Sequence, residues 1–111
     1  MSTKPIRVIQ TNPSECRVVP PVEFLSQRAQ AGAPDNLRFI NLTNGPIDVF
    51  LPSGTFGAAS VALRTIDVGG EGATPNVSPE ADIGARPYTV YCKATNTNAI
   101  GNSDPQVVVE P

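Results

Sequence analysis

One stretch near the C-terminal end of the sequence decides the fold, Tyr88-Thr-Val-Tyr-Cys92-Lys-Ala-Thr-Asn-Thr-Asn-Ala-Ile-Gly-Asn-Ser-Asp-Pro-Gln-Val-Val-Val109. It begins with Tyr88, Val90 and Cys92 at alternate positions, which is the pattern of a half-buried strand. The Asn, Thr, Gly and Ser residues that follow predict a loop, and residues 106–110 predict a second strand. In some β-sandwich proteins, a strand, a cysteine and a polar loop in this order hold a metal.

The rest of the chain predicts one all-β domain, residues 1–111. Twelve prolines and nine glycines favour turns over long helices. The clearest strands are residues 37–42 and 47–51, joined by the turn 43–46. Residues 67–84 contain few apolar anchors and are predicted to form a long loop. About seven short strands with turn signals between them indicate an antiparallel sandwich.

The composition excludes several kinds of function. The chain has no histidine, on which type 1 copper, most catalytic zinc sites and the usual hydrolytic triads depend. Glu71, Glu80 and Asp82 share one predicted loop, but they lack the spacing of a calcium loop. No acid/base pair of carboxylates is evident, so we expect no enzyme. The net charge of −2 comes without a basic stripe, so we expect no nucleic acid partner, and no apolar run is long enough to span a membrane.

Two segments resemble the cupredoxins of the plastocyanin and azurin type. Phe39-Ile-Asn41-Leu-Thr-Asn-Gly-Pro46-Ile47-Asp-Val is similar to the family's Phe-x-Asn-x-x-x-x-Pro-His-x-Val. Tyr88-x-x-Tyr-Cys92-x-x-Thr95-x-x-x-x-Ile100 is similar to the family's Tyr-x-x-Tyr-Cys-x-x-His-x-x-x-x-Met. The resemblance implies a cupredoxin-like antiparallel Greek-key β-sandwich. An immunoglobulin-like sandwich is the alternative, although the chain has no tryptophan and has Val90 where that family has a tyrosine.

The resemblance also implies that the copper ligands of the family have been lost. Ile47 stands at the first histidine, Thr95 at the second, and Ile100 at the methionine, so that only Cys92 remains. One thiolate cannot supply the two-histidine, one-cysteine plane of a blue-copper site. We therefore expect no cofactor and no bound metal.

The two cysteines and Asn41 can each be interpreted in more than one way. The resemblance places Cys16 and Cys92 towards the same end of the sandwich, where they could form a disulfide, remain as two buried thiols, or leave one reactive thiol. Asn41 matches a family asparagine that joins the two ligand loops by hydrogen bonding. It could do so here for the loop 92–105, or it could close its own strand into the turn that follows.

The predicted function is a non-catalytic, metal-free cupredoxin-like module with a binding or structural role and another protein as its partner. The candidate contact surface is the end where copper would lie, comprising Asn44, Gly45, Pro46, Thr95, Asn96, Asn98 and Asn102. The alternative function is copper binding or electron transfer through Cys92, with or without Cys16. A native Met1 would favour the cytoplasm, and a removed signal peptide would favour the periplasm or secretion.

Overall fold

The computed structural model describes residues 3–27, 34–52, 54–56, 62–78, 80–99 and 105–111. These residues form β-strands and turns without a helix, so the predicted all-β class is confirmed, and none of them forms a helix that could cross a membrane. The strands are β1 (Thr3–Asn12), β2 (Glu15–Val19), β3 (Val22–Ser26), β4 (Asn36–Leu42), β5 (Ile47–Phe50), β6 (Ala62–Ile66), β7 (Glu71–Ala73), β8 (Gly84–Pro87), β9 (Thr89–Cys92), β10 (Thr97–Asn98) and β11 (Gln106–Glu110).

The strands form a sandwich of two layers. The first layer is one sheet in the order β2-β1-β4-β7. The second layer contains the sheets β10-β9-β5-β6 and β3-β11-β8. Only Tyr88 separates β8 from β9, so these two sheets adjoin along one line of the chain. Between the layers, the rings of Phe39 and Tyr88 meet edge to face with centroids 5.7 Å apart.

Two strand pairs differ from the predicted antiparallel arrangement. β1 pairs in parallel with β4, from Thr3 opposite Asn36 to Ile9 opposite Leu42. β11 pairs in parallel with β3. The remaining pairs are antiparallel within the described ranges. Turn signals identify strands that are joined by hairpins, whereas parallel partners are distant in sequence and leave no local signal.

The prediction of one long loop over residues 67–84 is wrong in two places, where the structure has strand residues. β7 adds a short strand to the first layer, with Ile40 opposite Glu71, and β8 begins at Gly84. Backbone hydrogen bonds extend this pairing, because the Gly69 N–H donates to the Asn41 carbonyl and the Asn41 N–H donates to the Gly70 carbonyl. The Glu-Gly-Ala sequence of β7 has no apolar alternation, so its pairing depends on its neighbour in the sheet.

The core forms from the inward positions of the strands. The alternation predicted for the opening stretch is confirmed, because Tyr88, Val90 and Cys92 are buried and Thr89 is exposed. Each large aliphatic side chain that becomes fully buried stabilises the fold by about 1.5–3 kcal/mol. The largest fully buried apolar side chains are Phe39, Ile6, Leu25, Leu37, Ile47, Val8, Val49, Val77, Val90, Val107 and Val109.

Candidate functional site

Two connections meet at one end of the sandwich, and together we call them the loop end: the turn 43–46 and the hairpin segment 93–98. The Lys93 N–H donates a hydrogen bond of 3.1 Å to the Pro46 carbonyl. A Cβ added at Gly45 would lie 3.0 Å from both the Cβ and the backbone nitrogen of Ala94. Such contacts are tighter than most Cβ contacts in proteins, so a side chain at position 45 would force Ala94 to shift.

The side chain of Asn41 holds the turn 43–46 in place by hydrogen bonds. It is fully buried, and its amide nitrogen donates to the carbonyls of Gly45 and Ile66, each at 2.9 Å. Its Oδ1 accepts from the Thr43 N–H at 2.9 Å and from the Thr43 hydroxyl at 2.7 Å. These bonds close the turn onto the end of β6, which matches the second of the two predicted roles. They do not extend to the described part of the segment 92–105.

A disulfide joins Cys16 in β2 to Cys92 in β9. The Cα atoms are 6.7 Å apart, and both residues are fully buried. Because β2 and β9 belong to different layers, the bond ties the sandwich together beside the loop end. Of the alternatives for the two cysteines, the structure contains the disulfide.

The positions that resemble copper ligands have other contacts here. Ile47 is fully buried and lies opposite Cys92 on one side and Ile66 on the other. Thr95 is buried, and its hydroxyl lies 2.8 Å from the Thr97 hydroxyl and 3.4 Å from the Cys92 carbonyl. Ile100 and Asn102 lie outside the described residues. Within the described ranges, no three Cys, Asp or Glu side chains cluster in a way that could hold a metal ion.

Sequence reasoning missed the strand that follows Cys92. The structure has a tight hairpin there, in which Thr97 lies opposite Cys92 and Asn98 opposite Tyr91. Asn96 adopts a positive φ of 54°, and its side chain accepts a hydrogen bond from the Tyr91 hydroxyl. An asparagine at the end of a four-residue turn is a known hairpin signal, and it could have indicated β10.

The solvent-facing part of the loop end is a neutral surface of amides. Asn44, Asn96 and Asn98 are exposed and Pro46 is half-buried, whereas Gly45 and Thr95 are buried. The one charged side chain of the loop end is Lys93, whose Nζ lies 3.9 Å from Oδ2 of the neighbouring Asp48. Amide groups donate and accept hydrogen bonds, but they supply neither a nucleophile nor an acid or base near pH 7.

Comparison with known proteins identifies the fold. No protein-family model and no curated protein sequence matches the chain. Solved structures do match, among them an oxidized methionine-to-lysine mutant of amicyanin, with a TM-score of 0.59 and 15% identity. The reduced Cu(I) form of a proline-to-glycine mutant at pH 4 has a TM-score of 0.59 and 14% identity, and a reduced tryptophan-to-tyrosine mutant has a TM-score of 0.59 and 15% identity. Each match covers 97% of this chain and 82% of the amicyanin chain.

The fold is cupredoxin-like. Amicyanin is a cupredoxin, so the predicted architecture is confirmed and the immunoglobulin-like alternative is set aside. At 14–15% identity the likeness concerns the fold alone. In this cupredoxin-like fold, Cys92 is bonded to Cys16, and Ile47 and Thr95 stand where the sequence resemblance places histidines.

Proposed function

We propose that the chain is a metal-free, non-catalytic binding module that recognises another protein through the exposed part of its loop end. The observation that carries this proposal is the Cys16–Cys92 disulfide, because it occupies the one side chain that resembles a retained copper ligand. A blue-copper site requires a cysteine thiolate, and a disulfide sulfur is a poor substitute. The buried Ile47 side chain supports the same view, since it contributes no donor atom beside Cys92.

The loop end has the rigidity that a recognition surface needs. Asn41 bonds the turn 43–46, the Lys93–Pro46 hydrogen bond joins the turn to the hairpin, and the disulfide lies next to both. A surface that is ordered before binding loses less conformational entropy when it binds. Its exposed groups are the amides of Asn44, Asn96 and Asn98. They fit a partner that presents uncharged donors and acceptors, such as exposed backbone or other amide side chains.

A copper titration tests the metal-free part of the proposal. Cu(II) would be added to the oxidised protein, and Cu(I) to protein whose disulfide has been reduced. We expect no intense thiolate-to-copper band in the visible spectrum and no tight Cu(I) binding. The matched control is Cys92→Ser. If the native chain bound copper tightly and Cys92→Ser did not, the chain would be a degenerate copper-binding or electron-transfer protein instead.

Site-specific crosslinking tests the surface. A photo-reactive amino acid would replace Asn44 or Asn98, and in a control variant Thr3, which is exposed at the start of β1. With extract of the source cells, we expect one discrete protein adduct from positions 44 and 98 and none from position 3. The adduct should disappear when Asn96 is changed to Asp, which tolerates the same backbone conformation. Equal labelling from all three positions would argue against a dedicated surface.

A further inference from the structure

The outer face of the first layer combines arginines with aliphatic side chains. Register places Arg7 between Val19 and Ile40, and Ile9 between Arg17 and Leu42. Val19 and Leu42 are 44% and 52% exposed. Arg7, Arg17 and Arg38 outnumber the carboxylates Glu15 and Glu71, so this surface has a net positive charge. We call it the arginine face, with outward residues Arg7, Ile9, Glu15, Arg17, Val19, Arg38, Ile40, Leu42 and Glu71.

The outer face of the sheet β3-β11-β8 is apolar. Register aligns Phe24 with Val108 and Ala85, and Val22 with Gln106 and Pro87. Phe24 is 49% exposed and Val22 is 38% exposed. Glu110 is the one charged residue among the outward positions of these three described strands. We call this surface the apolar face, with outward residues Val22, Phe24, Ser26, Ala85, Pro87, Gln106, Val108 and Glu110.

We propose that the apolar face of one copy of this chain docks on the arginine face of the next copy. Both faces offer exposed aliphatic or aromatic side chains, and their charges are of opposite sign. The Phe24 ring would pack against Val19, Ile40 or Leu42 of the neighbouring copy, and Glu110 would pair with Arg7 or Arg38. Arginine suits this position because its stem covers apolar surface while its guanidinium pairs with a carboxylate.

Charge favours this arrangement over a symmetric dimer. Arg17 already pairs with Glu15 of its own chain at 3.0 Å. Two arginine faces brought together would place net positive surfaces against each other, and two apolar faces would leave Arg7 and Arg38 without the Glu110 carboxylate of a neighbouring copy. The two faces lie on opposite sides of the sandwich. Contact between unlike faces on opposite sides therefore produces an open chain of copies.

The size of the faces limits the strength of the contact. β3 and β11 have five residues each and β8 has four. With strands spaced about 4.8 Å apart and residues of about 3.3 Å each, the apolar face covers roughly 220 Å². A stable complex usually buries about 800 Å² on each partner. We therefore expect association to be weak, with dissociation constants of about 10 μM to 1 mM, and to weaken as salt screens the Glu–Arg pairs.

Two variants that each block one face provide the test. Phe24→Glu blocks the apolar face and leaves the arginine face intact, and Arg38→Glu does the reverse. Sedimentation velocity up to about 1 mM protein should show the native chain growing in mass with concentration. Each variant alone should associate at least about tenfold more weakly, because one aromatic or arginine contact often dominates an interface. An equimolar mixture of the two variants should form a heterodimer and nothing larger.

Three results would overturn the proposal: a native chain that stays monomeric at the highest concentration, native association that stops at a dimer, or a mixture of variants that stays monomeric while the native chain associates. Thermal unfolding of each variant verifies that it is folded. Asn98→Glu at the loop end is the matched control and should associate like the native chain. The loop end carries the proposed protein-binding function and takes no part in this self-association. Either proposal can therefore fail while the other remains testable.

Discussion

The loop end and the middle of the sandwich bury polar groups in opposite ways. At the loop end, both polar atoms of Asn41 are hydrogen-bonded, and a disulfide lies alongside. In the middle, the buried hydroxyl of Tyr88 has no hydrogen-bond partner among the described residues, and the same is true of buried Thr55 in the segment 54–56. The first region is held by directed bonds and the second by packing. Removing a polar group should therefore destabilise the first and leave the second unchanged or more stable.

The largest effect should come from the disulfide. Replacing both cysteines, Cys16→Ala with Cys92→Ala, should lower the free energy of unfolding by about 4 kcal/mol, because the closed loop is long and the unfolded chain regains its entropy. Urea unfolding measures the change. The control is urea unfolding of the native protein in the presence of a reductant, which breaks the same disulfide without a substitution. A loss below about 1 kcal/mol would mean that the layers depend little on this link.

Asn41→Ala should have the next largest effect and lower the free energy of unfolding by about 2–4 kcal/mol. The substitution leaves the Ile66 carbonyl and the Thr43 N–H without their Asn41 partner, whereas the Gly45 carbonyl still accepts from the Thr43 hydroxyl at 2.8 Å. Urea unfolding is again the measurement. The matched control is Asn44→Ala in the same turn, where the side chain is exposed and the change should stay within about 0.5 kcal/mol. Equal losses in the two variants would remove the contrast between the regions.

Gly45→Ala should lower the free energy of unfolding by about 1–3 kcal/mol. The added methyl group meets Ala94 and pushes the turn 43–46 away from the hairpin segment 93–98. Amide hydrogen exchange at Lys93 should become faster, since its bond to Pro46 spans the same gap. Adding Ala94→Gly should recover part of the loss, but the Ala94 nitrogen still lies 3.0 Å from the new Cβ. Full recovery would show that the side chain alone sets the approach.

Tyr88→Phe should have the smallest effect at pH 7, between no change and a gain of about 1 kcal/mol, because it removes a buried hydroxyl without a partner. Burial, and then the charge of Glu23, raises the pKa of Tyr88 above its usual value. The native protein should therefore lose stability as pH rises above about 10, where tyrosines of the unfolded chain ionise first. Tyr88→Phe should lose less stability over that range, and a loss equal to the native one would contradict the assigned pKa.

Some of these features follow from sequence and others do not. The faces of β4 and β9 were predictable, because apolar residues alternate along them. The resemblance placed Cys16 and Cys92 at one end, but a bond depends on a Cα distance that no sequence contains. The role of Asn41 depends on which carbonyls lie within reach of its amide. The parallel partners of β1 and β11 are far away in sequence, so local patterns could not reveal them.

The placement of β1 and β11 has a consequence for biosynthesis. Each of these strands lies between two partners, β2 and β4 for the first and β3 and β8 for the second. When a ribosome has made the chain only as far as β8, β3 and β8 still await the strand that joins them. Their open edges must be protected until residues 106–110 emerge, since unpaired strands invite aggregation. Shortening the chain through β11 would thus split a sheet rather than trim it.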